Sequence, residues 1–383
     1  MTVSIWQDRS SDLVRDVDVA VVGAGVVGCA IAREVGRNGR TVVILEARAL
    51  AAGSTGRNAG ASQTGLFAGY HNAIAMYGRS RARELWEMTQ ENRAELLSVA
   101  RRHELPLDRC GSLLLASTPH QLKALELSAE ALEIDGFHAR FLHTDPLGRG
   151  FLGAIHWPDD LGLDPVRTTE ALYRESRAIL YDSCEVFAMV PDADHVNLFA
   201  RRGTFRARHV FLATNAYTPL LVPSLASIVT PHRAQVLITE PLHRVVSSLG
   251  SVDEGLYCFR QLLDGRLMIG GGRQIFADLE STYADHTTSE VQASIEGFML
   301  RYFPEATGRI TRRWAGTMGF SIDGIPLVGQ LESDPRICYA IGFSGHGMGM
   351  GLVAARRAVA MAFHGSHPGV LWAGRLQEPE PLG

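Results

Sequence analysis

The chain has 383 residues, 46% apolar and 20% charged, which permits a sizeable buried core and disfavours disorder. Its 37 Lys+Arg and 41 Asp+Glu leave a net charge of −4, so no basic excess exists to neutralise phosphates, and nucleic-acid binding as a main function is disfavoured. Five cysteines (Cys29, Cys110, Cys184, Cys258 and Cys338) are widely spaced without a CxxC, which indicates neither a zinc site nor a disulfide framework.

In chain order, residues 17–23 read as a buried strand, 26–38 as a helix and 41–46 as a second strand, a β-α-β unit within about 30 residues. Residues 50–70 are rich in Gly, Ala, Ser and Asn and read as a long ordered loop. A helix is expected over 73–103, stopped by Pro106. Thr118-Pro119 and Asp164-Pro165 open further helices, each with a cap followed by Pro at the first helical position. Residues 195–214 read as paired strands. Three more strands fall between 230 and 273, the last two joined by a turn at Asp264-Gly265. Thr287-x-x-Glu290 reads as a capping box for a helix with Val291, Ile295, Phe298 and Tyr302 on one face. Residues 337–343 read as a strand, and a Gly-rich turn leads into an apolar helix over 346–363. The first sixteen residues carry no apolar h-region and no apolar run reaches about 18 residues. A signal peptide and a membrane span are therefore not expected, and a reducing cytoplasm fits.

Gly23-x-Gly25-x-x-Gly28 sits directly between the first strand and the first helix. Gly23 allows the tight turn, Gly25 lets a pyrophosphate approach the helix N-terminus, and Gly28 lets helix and strand pack closely. Glu46 ends the second strand, where it can accept hydrogen bonds from a ribose diol, and it would repel the 2′-phosphate of NADP. Strand, helix, strand and acid together make this a dinucleotide site; NAD and FAD both remain open on the fingerprint alone.

The rest of the chain separates them. GSTGRNAGA (53–61), the strand ending Ala213-Thr214-Asn215-Ala216-Tyr217, Trp314-Ala-Gly-Thr317, Asp323-Gly-Ile-Pro-Leu-Val-Gly329 and Ser344-Gly-His-Gly-Met348 together resemble the D-amino-acid oxidase (DAO) superfamily of FAD enzymes, in order and from about Val17 to Met361. GRNAG, HRAQVLITEP and the hairpin YCFRQLLDGRLMIGGG look most like its γ-glutamylputrescine oxidase branch.

The resemblance implies an α/β fold with a Rossmann-type, glutathione-reductase-like FAD domain over 1–84, 147–224 and 325–383. A substrate domain over 85–146 and 225–324 would carry a mostly antiparallel sheet covering the flavin. It implies non-covalent FAD held by Gly23, Gly25, Val26, Val27, Gly28, Glu46, Ala47, Arg48, Ser54, Thr55, Arg57, Asn58, Ala59, Val186, Ala213, Thr214, Gly316, Gly345, His346, Gly347 and Met348. Arg57 and Asn58 would lie along the flavin and pyrophosphate, and Val186 would meet the adenine through its backbone. The N-terminus of the last helix would face the flavin edge that becomes anionic on reduction. His346 could be a base, a charge stabiliser or a packed neighbour of the ring.

Several positions depart from the family pattern, among them Gly316-Thr317, where relatives with covalent flavin carry a cysteine, and Gly349 or Met350, where sarcosine oxidase carries a second lysine. Met268 stands where related sarcosine oxidases carry an oxygen-activating lysine, and the only lysine of the chain, Lys123, is expected on a helix elsewhere. Met318 stands where glycine oxidases place the arginine that holds a substrate carboxylate. Arg260 could hold a carboxylate instead, or be structural. Met318, Phe320, Phe343, Met348 and Met350 would form an apolar pocket or ordinary core. The expected reaction is oxidation of a small-molecule amine to an imine, then hydrolysis, with O2 as acceptor and hydrogen peroxide as product. The rival is a dehydrogenase passing electrons to a quinone or partner subunit.

Overall fold

The computed structural model describes residues 14–377, so the outer ends of the expected first and last FAD-domain segments lie outside the described residues. Two compact units are present. The first runs up to Gly56 and includes Val166–Pro231 and the chain from Met318 on; the second comprises Arg57–Pro165 and His232–Thr317. The divisions expected at 84/85, 146/147, 224/225 and 324/325 fall at 56/57, 165/166, 231/232 and 317/318. The chain from Arg57 turns early because its backbone bonds elsewhere: Ala61 and Ser62 pair antiparallel with Gly162 and Leu161, and Leu163 N donates to Gly60 O at 2.8 Å.

In the first unit the strand Val14–Val22 lies between Val42–Leu45 and Gly203–Leu212, parallel to both. Ile179–Tyr181 extends the sheet beyond Val42–Leu45, and Asp334–Ile341 continues it parallel to the end of Gly203–Leu212. An antiparallel meander, Val186–Pro191, Val196–Ala200 and Gly203–Leu212, branches from the same central strand. Runs such as Val19–Val22 and Val42–Leu45 are apolar at every position because the parallel sheet is covered on both faces. The helices Val26–Arg37 and Gly347–His364 pack on each other; their small residues, Ala30, Ala32, Ala354, Ala355 and Ala358, are all buried.

In the second unit an eight-stranded, mostly antiparallel sheet has the order Ile310–Ser321, Val229–Pro241, Arg266–Gly271, Tyr257–Gln261, Leu249–Val252, Ser112–Ala116, Gly153–Trp157, Arg140–Leu142. Period-two alternation gives it two different faces. Leu237, Phe259, Leu267 and Ile269 pack against Val291, Ile295, Phe298 and Tyr302 of the helix Ser289–Tyr302. Val236, Ile238 and Met268 point the other way and gather Ala59, Leu262 and Trp314.

Local expectations differ from the structure at two helices. The helix expected over 73–103 is two, Tyr70–Tyr77 and Arg79–Arg102, because Gly78 adopts φ 80 between them. The box at Thr287 does not form: Thr288 is the N-cap of Ser289–Tyr302 and makes no side-chain cap bond. Thr288 Oγ1 instead accepts from Gln235 Nε2 at 2.9 Å. At Thr118 the box is complete, with Gln121 N donating to Thr118 Oγ1 and Thr118 N to Gln121 Oε1. No helix among the described residues is long and apolar enough to cross a membrane.

Candidate active site

The first unit builds a cradle out of backbone. Gly23 has φ 104, and a Cβ on Gly28 would stand 1.9 Å from Gly23 O, so both positions exclude any side chain. Ala213 closes the other side of the turn: its N donates to Val22 O at 2.9 Å, and a Cβ on Gly23 would meet Ala213 O at 2.9 Å. The first intrahelical bond is Cys29 N to Gly25 O, so the N–H groups of Val26, Val27 and Gly28 precede the helical ladder. Thr55 takes one of them, its Oγ1 accepting from Val26 N at 3.1 Å. Glu46 accepts from Ala24 N at 2.8 Å and from Arg48 N at 2.9 Å. A carboxylate has about four lone-pair sites, so two stay available for hydroxyl donors.

The last helix brings a second N-terminus to the same place. His346 is its N-cap, and Gly349 N and Met350 N both donate to His346 O at 3.0 Å, so the N–H groups of Gly347 and Met348 precede that ladder. One turn further on, a Cβ on Gly351 would lie 3.2 Å from Val27 Cγ2 and 3.7 Å from Val26 Cγ1. The positive ends of two helix dipoles therefore meet within one unit, which favours an anionic ligand. Val186, at a bulge in the meander, follows by two residues the bond from Cys184 N to Glu46 O at 2.7 Å. Ala47 and Arg48 are exposed, and the Arg48 guanidinium lies 5.8 Å from the Tyr217 ring centre.

His346 Nδ1 lies 3.1 Å from Ser344 O. A carbonyl only accepts, so Nδ1 carries the proton and Nε2 the lone pair. Burial pushes this imidazole down to about 4, against a smaller opposing effect of the Ser344 bond, so it is neutral at physiological pH. Met348, Met350 and Phe343 are buried, and Met350 is fully enclosed as ordinary core; Met318 and Phe320 are half-buried.

The second unit holds its site residues by side-chain clamps. Arg57 Nη1 donates to Ala315 O at 2.9 Å and pairs with Asp285 at 3.0 Å, while Trp314 Nε1 donates to Arg57 O at 2.9 Å. Gly316 is where Arg57 crosses the strand; a Cβ there would be 2.9 Å from Arg57 Cβ. Asn58 Oδ1 accepts from Gly60 N at 2.7 Å in a tight turn.

Arg260 Nη1 donates to Ala59 O, Gly60 O and Leu163 O at 2.8, 3.0 and 2.9 Å. Its guanidinium lies flat on Gly162, where a Cβ would stand 2.6 Å from Nη2. That is the geometry of a backbone clamp rather than of a substrate anchor. Arg260 faces Met268 across the strand pair, so Arg57, Asn58, Ala59, Gly316, Arg260 and Met268 gather around the sheet strands 257–271 and 310–317.

Sequence reasoning missed three partners: Asn215, whose side chain holds the turn before the last helix, Asp285, which pairs Arg57, and Gly162, which makes room for Arg260. Only Asn215 carried a local signal, an Asn in a small-residue turn. Lys123 pairs with Glu126 on the exposed face of the helix Pro119–Ile134. Burial pushes the thiols of Cys110 and Cys258 up to about 11, which keeps them protonated. Among the described residues no group of His, Cys, Asp and Glu could hold a metal ion.

A cradle with no room for Cβ atoms, two convergent helix N-termini and an acid at the end of the second strand fit a dinucleotide of the FAD type. The profile of the DAO family, described as FAD dependent oxidoreductase, matches residues 18–361. The chain belongs to this family. It is 27% identical to a gamma-glutamylputrescine oxidoreductase of Escherichia coli over 355 residues, covering 86% of this chain and 80% of that one. It is 25% identical to a probable oxidoreductase OrdL of Rhizobium meliloti, with 87% and 80% covered. Among solved structures, glycine oxidase from Geobacillus kaustophilus superposes with a TM-score of 0.78 at 19% identity, over 92% of this chain and 96% of that one. L-proline dehydrogenase from P. horikoshii superposes with a TM-score of 0.77 at 21% identity, over 93% and 95%. These two superpositions establish the fold. The chain is an FAD-dependent oxidoreductase, with a Rossmann-type unit and a second, mostly antiparallel one.

Proposed function

We propose that this flavoenzyme oxidises the C–N bond of a primary or secondary amine that lacks an α-carboxylate. The observation that carries this reading is the commitment of Arg260 Nη1 to three backbone carbonyls and the burial of its Nε, together with Met318 at the other position expected to anchor a carboxylate. A buried carboxylate with no charged partner is expensive. The relatives named for glycine and for γ-glutamylputrescine support amine or amino-acid donors as the wider class.

Bound FAD supplies the two-electron acceptor for the hydride of the amine C–H. Gly23 to Gly28 and Glu46 would hold its nucleotide end, with Ala213, Thr214 and the Val186 backbone beside it. Arg57 to Ala59 and Gly316 are the residues of the second unit that the family resemblance would assign to the cofactor. The N–H groups of Gly347 and Met348 set positive potential where negative charge develops. The His346 imidazole is buried and neutral, too weak a base to strip a proton from an ammonium, so the amine reacts in its neutral form. The imine hydrolyses to a carbonyl compound and an amine or ammonia. With O2 as acceptor, one peroxide forms per amine. Non-covalent attachment fits Gly316 and Thr317, where covalent relatives would need a cysteine.

A second reading, transfer to a quinone or partner subunit, draws on Met268. Val236, Ile238, Ala59, Leu262 and Trp314 surround it with apolar groups, and Arg260, opposite it across the strand pair, commits Nη1 to backbone carbonyls. Oxygen uptake by the holoenzyme with a primary amine decides the acceptor. One O2 consumed and one peroxide formed per aldehyde supports the oxidase; aldehyde formed only with an added quinone supports the dehydrogenase. No aldehyde from any primary or secondary amine overturns the amine reading.

A further inference from the structure

We propose that Asn215 is a positioning residue that tunes the bound flavin, by fixing the turn that opens the last helix. This rests on the reading that this turn faces the flavin, and not on the identity of the amine.

Asn215 follows Ala213-Thr214, the segment that packs on the fingerprint turn. It adopts φ 46, a left-handed conformation that Asn tolerates better than most side chains. Its Oδ1 accepts from Gly342 N at 2.9 Å and from Phe343 N at 3.4 Å, which uses both lone pairs of the amide oxygen. Gly319 leaves the space: a Cβ there would lie 2.6 Å from that oxygen. The bonds then run on without interruption. Ser344 N donates to Gly319 O at 2.9 Å, His346 N to Phe343 O at 2.7 Å, and the first helical N–H groups to His346 O.

The turn that aims the Gly347 and Met348 N–H groups thus hangs on Asn215 Oδ1 at its start, with Ser344 bonded to Ser321 and Gly319 beside it. Ala213, two residues earlier, sets the Gly23 turn at 2.9 Å. The short segment from Ala213 to Asn215 therefore touches the turns that open both helices. A loss of the Oδ1 acceptor releases the second N-terminus while the first keeps its seat. The effect falls on the reduced, anionic flavin more than on the oxidised one, because the helix dipole acts on charge.

Asn215→Gly tests this, since glycine keeps the left-handed backbone and removes only the acceptor. The readouts are the midpoint potential of the bound FAD and the dissociation constant of oxidised FAD. The expected result is at least about tenfold weaker binding of reduced relative to oxidised FAD, a fall of about 30 mV for a two-electron couple. His346→Asp serves as reference: Asp is a good N-cap and places negative charge in the same turn. A wild-type potential in Asn215→Gly, with a lowered one in His346→Asp, overturns the role of Asn215 and leaves the orientation of the turn standing. An unchanged potential in both overturns the two together. If Asn215→Gly does not fold, Asn215→Ser, whose shorter arm reaches one N–H, carries the same expectation at a smaller size.

Discussion

The fingerprint turn of the first unit and the sheet face of the second organise their residues in opposite ways. Around Gly23 to Gly28 the backbone itself is the device, and side chains matter by their absence. Around Arg57 to Gly60, three distant side chains, Arg260, Trp314 and Asp285, hold a loop in place. A backbone-built region fails when atoms are added. A side-chain-built region fails when one partner is removed, and can be repaired when both are replaced.

The largest effect is expected in the second unit, at the buried pair Arg233–Glu280, whose atoms lie 2.6 and 3.0 Å apart and which Gln235 joins. Arg233→Met alone leaves a buried carboxylate without its cation and should cost about 3–5 kcal/mol in chemical denaturation. The double variant Arg233→Met with Glu280→Leu should recover most of that loss. A double variant as unstable as the single one would contradict the repairable half of the comparison.

In the cradle, Gly28→Ala should cost about 3 kcal/mol and most of the bound FAD, because carbonyl and Cβ cannot share the space. The absorbance ratio of flavin to protein after gel filtration measures it, and full retention would break the comparison. Met268→Lys places a cation in the apolar cluster. It should speed reoxidation by O2 about 10- to 100-fold, less than the roughly 100- to 1000-fold of one fully preorganised donor; stopped-flow mixing of the reduced enzyme with O2 reads it out.

Arg260→Lys keeps the charge but loses the fork geometry, so it should loosen FAD about tenfold, some 1.4 kcal/mol. The KM for the amine should stay within about twofold, since uniform substrate binding is untouched. A large rise in KM with normal FAD binding would make Arg260 a substrate anchor.

The smallest effect is the pH dependence of His346. Its folded value of about 4 lies below the ordinary 6.5, so its contribution to stability is complete above about 6.5 and is lost as pH falls towards 4. His346→Asn should flatten that acid limb in thermal melts. In the wild type, kcat/KM should rise through the substrate amine's own pKa, with no limb from His346 above about pH 5.

What was legible in the sequence follows the same division. The fingerprint, Glu46 and the last Gly-rich turn were readable because spacing along the chain encodes a backbone path. The pairings of Arg260 with Ala59, Gly60 and Leu163 were not, because about 100 to 200 residues separate the partners and no local pattern marks them. The break at Gly78 was missed because apolar spacing on both sides reads as one helix. The box at Thr287 failed because tertiary partners at Gln235 claimed Thr288, a bond no local signal predicts.

The most direct measurement is anaerobic reduction of the enzyme-bound flavin by matched pairs that differ only in the α-carboxylate, such as phenethylamine with phenylalanine, methylbenzylamine with N-methylphenylglycine, and putrescine with ornithine. The account predicts loss of the blue absorption band with at least one amine of the set and none with its carboxylated counterpart. Bleaching by the amino acids alone would contradict it and would mean that Arg260 or another cation receives the carboxylate.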